Sequence, residues 1–303
     1  MDFVTDLLLG GTSGVIAKTI CAPLERVKIV LQTQGSNTQI TNPYKGIGDA
    51  FGRIAKEQGV ASFWRGNMAN CLRYFPTQAM NFAFKERYAA IFCRPREEVG
   101  FAMFFAGYLA AGAAAGATSL TVSYPLEYTY TRMAADVGDK TGKRQYSGLV
   151  DCINQTLKSD GIRGLYRGYG PSVAGIVVYR AGYFGLYDYA KSSVIPSLGL
   201  GSGYSLIAGK FAIALSIDIF SAMLAYPLDT VRRSMMMQSG KTGSEVLFTS
   251  SLGCLRHIVK TGGAAGLYKG AMMNNVRAIG SAMVLIIYDE LKAAMSLAKS
   301  KGH

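Results

Sequence analysis

The sequence predicts an all-α membrane protein in which six transmembrane helices form three pseudo-symmetric repeats of about 100 residues, each with one short additional helix. Three observations carry this prediction. The first is a proline followed two residues later by an acid, which recurs every 102 residues at Pro23, Pro125 and Pro227. The second is an aromatic-base-glycine turn with the same spacing, whose aromatic residues are Trp64, Tyr166 and Tyr268.

Long segments with little or no charge are the third observation. Residues 101–124 carry no charge, and residues 169–187 and 271–288 carry only Arg180 and Arg277. A helix that crosses a bilayer needs roughly 20 mostly apolar residues. The core helix of a soluble protein is the alternative for any single segment, but recurrence at regular intervals favours membrane helices.

Composition excludes several classes of function. Half of the 303 residues are hydrophobic, 17% are charged, and the net charge is +13. In a membrane protein such a charge indicates anionic lipid headgroups and an anionic solute as partners, and the uncharged segment 101–124 excludes a soluble nucleic-acid binder. The five cysteines form no Cys-x-x-Cys pair, which indicates free thiols. The acidic N-terminus predicts no cleavable presequence.

Each repeat is predicted to contain three helices in the same order. The repeats cover residues 1–100, 101–200 and 201–303, and we expect them to form one integrated domain. The first apolar helices span about 5–33, 103–136 and 204–238. Short amphipathic helices follow near 47–57, 149–159 and 251–260, and second apolar helices span about 67–92, 169–194 and 271–297. Gly112 and Gly116 indicate close helix packing, although residues that merely fill space give the same pattern.

Three repeats that carry Pro-x-acid, followed in the first and third by a base three residues after the acid, resemble the mitochondrial carrier family over essentially the whole chain. Within that family, Arg232-Arg233-Ser234 followed by three methionines is similar to the signature of the ADP/ATP carriers, with serine in place of a third arginine. The resemblance implies electrogenic exchange of ADP for ATP across the mitochondrial inner membrane by alternating access. Such transport forms no covalent bond, so we expect no enzyme activity, catalytic residue, metal or cofactor. It also implies bound cardiolipin at the short helices.

The resemblance implies a central cavity whose cations bind phosphate oxygens. Basic residues inside membrane helices normally face water or a partner, and a cation paired with a neighbouring helix is the alternative for each one. A glycine-isoleucine step followed by two tyrosines on one helical face would hold the adenine ring, although those tyrosines could equally pack the helices. The expected substrate-binding residues are Lys18, Arg73, Asn81, Gly175, Ile176, Tyr179, Arg180, Tyr183, Arg233 and Arg277.

The family closes its cavity with ion pairs between the acid of one repeat and the base of the next. At the matrix gate this implies Glu127 with Arg232 and Asp229 with Lys28, braced by Gln32. Glu25 meets Tyr130 instead of a base, and we expect that hydroxyl to donate a hydrogen bond. The cytoplasmic gate implies Glu86 with Lys191 and Asp188 with Lys292, while Asp289 faces Ala89.

Departures from the pattern leave alternatives open. Ser234 removes one signature arginine, and each gate lacks one base. Lys210 and Asp218 lie in an apolar stretch, where they could pair through water or Asp218 could add an anion to the cavity. The alternatives are a carrier of another nucleotide or phosphorylated anion, and a diverged carrier that serves as a structural or assembly subunit of a larger membrane complex.

Overall fold

The computed structural model describes residues 3–94, 96–138, 142–197 and 204–276, and all regular secondary structure in them is helical. Within those residues the helices are joined by turns and short loops, and no strand is present. A π-helical turn, Ala190–Val194, joins the helix Tyr169–Tyr189 to the short helix Ile195–Ser197. In chain order the helices are α1 (Phe3–Thr33), α2 (Ile47–Gln58), α3 (Asn67–Phe92), α4 (Arg96–Ala135), α5 (Leu149–Leu165), α6 (Tyr169–Tyr189), α7 (Ile195–Ser197), α8 (Tyr204–Met236) and α9 (Ser251–Gly262).

The predicted order of long and short helices is present in every repeat as far as the structure describes it. Residues 271–276 are helical and begin the last predicted long helix. Two short helical segments were not predicted. The backbone is not helical at Gly100 (φ 74°) or at Gly161 (φ 64°), so a kink separates residues 96–99 from the rest of α4 and residues 162–165 from the rest of α5.

One glycine of each repeat docks that repeat onto the next one. These glycines precede the second long helix and have φ values of 80° to 84°, a region that other residues rarely adopt. A Cβ atom at any of them would lie within 3.0 Å of a backbone carbonyl in the following repeat. The pairs of glycine and carbonyl residue are Gly66 with Tyr130, Gly168 with Arg232, and Gly270 with Lys28.

Two described helices are long and apolar enough to cross a membrane, at Glu98–Ala135 and Gly209–Met236. Helix α1 is 31 residues long, but Lys18, Glu25, Arg26 and Lys28 fall within it. The outward face of its described part is nevertheless apolar, since Ile16 and Ile20 are exposed. Arg26 and Lys28 are buried, as expected for charges on helices that surround a polar interior.

The best-packed part of the molecule lies where α1, α4 and α8 end, next to the short helices. Tyr124, Tyr128 and Met236 are fully buried there, and a second cluster surrounds Val30 and Ile54. The signature methionines are therefore core residues. This packing holds the polar side chains of the preceding helical turn in fixed positions.

Candidate functional site

A central cavity of about 520 Å³ lies between the long helices. It contains most of the residues that the sequence predicted to bind substrate. Tyr183 lies one turn beyond the cavity lining and stacks on Tyr179, with ring centroids 6.1 Å apart. Arg277 lies outside the described residues. The predicted residues that line the cavity are Lys18, Arg73, Asn81, Gly175, Ile176, Tyr179, Arg180 and Arg233.

The cavity lining is strongly positive. Among the described residues, six basic side chains line it against three acidic ones, a surplus of three positive charges. Lys18 lies over the ring of Tyr74, 5.5 Å from its centroid. Arg180 forms no ion pair with any residue that the structure describes. Because the acids lie at one end only, the rest of the cavity is a suitable environment for a multiply charged anion.

The matrix gate residues come together at the end of the cavity near the short helices. Lys28 Nζ lies 3.1 Å from Asp229 Oδ2, and Arg232 Nη2 lies 3.2 Å from Glu127 Oε1. Gln32 donates a hydrogen bond of 3.0 Å to Asp229, as a brace would. Both acids are therefore paired with a base of another repeat.

A neutral hydrogen-bond donor replaces the base in the third pair of the matrix gate. Tyr130 donates from its hydroxyl to Glu25 Oε2 at 2.5 Å. Asn70 donates to the same oxygen at 2.8 Å, and Asn274 accepts a hydrogen bond of 2.9 Å from Lys28. Sequence reasoning missed both asparagines. Their separation of two repeat lengths was the signal that could have found them.

Two of the predicted substrate-binding arginines belong to the matrix gate in this conformation. Arg73 Nε lies 3.0 Å from Glu127 Oε2. Arg233 Nη2 lies 3.9 Å from Glu127 Oε1 of α4, and Arg233 Nε lies 3.3 Å from Asp229 of its own helix. Both arginines are therefore paired with an acid of a neighbouring helix, the alternative that the sequence left open.

One predicted pair of the cytoplasmic gate is not formed. Glu86 and Lys191 are exposed and form no ion pair with each other within the described part of the chain. Asp188 is described only as part of α6, and Asp289 and Lys292 lie outside the described residues. The other predicted contacts of this gate therefore stay predictions.

Two glycines of α4 make room for side chains of the cavity. A Cβ atom at Gly112 would lie 2.6 Å from Arg180 Nη1, and one at Gly116 would lie 3.0 Å from Ile176. Gly175 is less constrained, because the same atom would lie 3.7 Å from Leu228, an ordinary contact. The small residues of α4 therefore position Arg180 and Ile176 as well as allow close packing.

Asp218 adds no anion to the cavity lining. It accepts a hydrogen bond from the hydroxyl of Tyr179 instead. Lys210 is exposed. The sequence left open that Lys210 and Asp218 pair through water. Asp218 does not need that pairing, because Tyr179 already donates a hydrogen bond to it.

Ser234 lies behind the matrix gate and not in the central cavity. It is buried and lines a second cavity of about 40 Å³, together with Gln32. The side-chain oxygen of Gln32 is buried and accepts no hydrogen bond from the described residues. Ser234, the residue that departs from the signature, therefore lies beside Gln32, which braces the matrix gate, and not in the lining of the central cavity.

Two cysteines are buried in the short helices. Cys152 in α5 and Cys254 in α9 are fully buried, and burial raises the pKa of each thiol to about 12. Within the described residues, no three histidine, cysteine or acidic side chains are grouped as metal ligands would be.

Comparison with known proteins matches the chain to the family described as "Mitochondrial carrier protein", at residues 1–96, 101–197 and 204–299. ADP/ATP translocase 2 of Bos taurus is 50% identical over 295 residues, which are 96% of this chain and 97% of that protein. ADP/ATP translocase 3 of Homo sapiens is 49% identical over the same shares. A Dictyostelium discoideum protein described as "Mitochondrial substrate carrier family protein ancA" is 48% identical over 99% of this chain and 96% of its own length.

Proposed function

The chain belongs to the mitochondrial carrier family, and on that basis we propose that it exchanges ADP for ATP across the mitochondrial inner membrane. Six transmembrane helices, two from each repeat, would surround the cavity and open it alternately to the two sides. The relatives named ADP/ATP translocases support nucleotides as the substrates. In this proposal the protein is a carrier and forms no covalent bond with its substrate.

The surplus of positive charge among the described residues of the cavity lining is the observation that carries the proposal. Such a surplus favours ADP and ATP, which carry three and four negative charges. Lys18 and Arg180 lie apart from the matrix gate acids and would bind the phosphates first. A fork of guanidinium donors suits phosphate oxygens, and an ammonium group acts as a point charge.

Arg73 and Arg233 would link substrate binding to gate opening. Both line the cavity and both contact the gate acids. Phosphate oxygens that compete for these arginines would weaken their contacts with Glu127 and Asp229. The substrate would then supply the differential interaction that a shift between two conformations requires.

Purified protein in liposomes tests the proposal. Liposomes loaded with ADP should take up labelled ADP and ATP, and ATP uptake against ADP should respond to an imposed potential by about 2.3 kcal/mol per 100 mV, because one net charge moves. Arg180→Gln should reduce uptake at least tenfold. Arg53→Gln, which removes an arginine paired with Glu57 outside the cavity, is the matched control.

Two results would contradict the proposal. Uptake no greater than in empty liposomes, together with co-purification in a large assembly, would favour a structural or assembly subunit. Exchange of another phosphorylated anion without exchange of ADP would keep the carrier activity and reject the substrate.

We also propose cardiolipin as a bound lipid at the short helices. Helices α2 and α5 begin after Gly46 and Gly148, which have no side chain that could cap the first amide groups. Free amide groups at a helix N-terminus attract phosphate. Native mass spectrometry of detergent-purified protein should retain a four-chain lipid, and complete exchange for a two-chain anionic lipid would argue against the specificity.

A further inference from the structure

Tyr179 and Asp218 form a polar pair between α6 and α8, beside the central cavity. Tyr179 lines the cavity next to Arg180 and one turn after Gly175 and Ile176. Its hydroxyl donates a hydrogen bond to Oδ1 of Asp218. Neither the closure of the matrix gate nor the charge of the cavity lining requires this carboxyl group.

Asp218 is the only charged residue between positions 211 and 227 of α8. A carboxyl group in an apolar membrane helix is costly unless it faces water or a partner. Its described partner is a tyrosine that lines the cavity. The position of Asp218 therefore points to an effect on the hydroxyl of Tyr179, and through it on a ligand bound in the cavity.

Hydrogen-bond chemistry defines that effect. A carboxylate only accepts hydrogen bonds, and a phenol has a single proton to donate. The proton of Tyr179 is therefore directed to Asp218, and its oxygen can act toward the cavity only as an acceptor. Without Asp218, the hydroxyl could rotate and donate to a ligand.

We propose that Asp218 sets Tyr179 as a hydrogen-bond acceptor toward the cavity and that the pair selects purines with a 6-amino group over 6-oxo purines. This inference rests on the proposed function. The 6-amino group of adenine is a donor, while a 6-oxo group is an acceptor. An acceptor placed opposite the 6-oxo oxygen would leave both without a proton, and a site that cannot pair a polar group discriminates against it.

The test compares ADP with inosine diphosphate, which differs from it in carrying a 6-oxo group in place of the amino group and a proton on N1. Binding is measured as nucleotide-dependent thermal stabilisation of the purified protein, and transport as competition for ADP uptake in liposomes. The unmodified chain should prefer ADP by about tenfold or more. Asp218→Leu and Tyr179→Phe should each reduce that preference to within about threefold.

Two comparisons make the result specific. The double variant should lose no more preference than either single variant, because the two residues act as one unit. Lys210→Leu removes an exposed charge from the same helix and should leave the preference unchanged. If Asp218→Leu does not fold, Tyr179→Phe decides the question alone, because it removes only the hydroxyl.

Each outcome is decisive. Variants that keep the full preference for ADP would overturn the role of this pair while leaving ADP/ATP exchange intact. An unmodified chain that binds both nucleotides equally would do the same. Absence of binding and exchange with either nucleotide would overturn this inference together with the proposed function.

Discussion

The hydrogen bond between Tyr130 and Glu25 gives the sharpest test of the matrix gate. Two of the three gate contacts are ion pairs, while this third contact has a neutral donor. Tyr130→Phe removes that donor without changing any charge. We expect the substitution to shift the protein away from the conformation in which the matrix gate is closed.

The size of the shift follows from the contacts of Glu25. Its carboxylate accepts from Tyr130 at 2.5 Å and from Asn70 at 2.8 Å. A hydrogen bond to a charged group contributes about 1.5–3 kcal/mol. The lower value applies here because Asn70 remains and Glu25 faces the cavity. A change of about 1.5 kcal/mol corresponds to roughly a tenfold shift between the two conformations.

A conformation-specific carrier inhibitor provides the assay. An inhibitor that binds only the matrix-open form has an apparent Kd that falls as the population of that form rises. We expect a decrease of about tenfold for Tyr130→Phe and an increase for Tyr130→Arg, which supplies the missing base. Tyr166→Phe, which removes a hydroxyl bonded to the Thr121 carbonyl outside the gate, is the control. Unchanged affinity in both Tyr130 variants would refute the reasoning.

Three further predictions concern the cavity, the gate and the connecting helices. Gly112→Ala should displace the end of Arg180 and weaken ADP binding about tenfold with little change in melting temperature, measured by thermal shift with and without ADP. Asp229→Asn removes the acid that pairs with Lys28 and one of the two acids that contact Arg232 and Arg233, and should destabilise the protein by about 3–5 kcal/mol, measured by denaturant unfolding. Cys152 should resist maleimide at pH 7.5, because a pKa raised to about 12 leaves little thiolate, and should label only after denaturation.

Each of these predictions has a matched comparison. Gly170→Ala places a methyl group in open space on α6 and should leave ADP binding unchanged. Glu25→Gln removes an acid bonded only to neutral donors among the described contacts, and should cost less stability than Asp229→Asn. Equal losses in either comparison would contradict the assigned contacts, and rapid labelling of Cys152 in the folded protein would contradict its burial.

The repeat made most of the fold predictable from the sequence. One period of 102 residues located the prolines, the aromatic turns and the helices that they separate. The resemblance to the carrier family supplied the rule that the acid of one repeat pairs with the base of the next, and this rule predicted both ion pairs of the matrix gate. The helical segments 96–99 and 162–165, beyond the kinks at Gly100 and Gly161, could not be predicted, because four residues are too few to show helical periodicity.

The contacts between side chains were less predictable than the positions of the helices. Arg73 and Arg233 were assigned to the cavity by their depth, but their length lets them reach the gate acids as well. Asn70 and Asn274 carry no charge and gave no electrostatic signal. The hydrogen bond from Tyr179 to Asp218 depends on the rotation of α6 against α8, which no pattern within either helix contains.

The glycines that dock each repeat onto the next have a consequence for the kinetics of opening. Gly66 contacts the carbonyl at Tyr130, Gly168 the one at Arg232, and Gly270 the one at Lys28. These contacts run from the first repeat to the second, to the third and back to the first. In a closed ring each repeat has two neighbours, so there is no terminal repeat from which the repeats could begin to separate. Displacement of one repeat therefore strains both neighbours, and we expect the matrix gate to open in a single cooperative step.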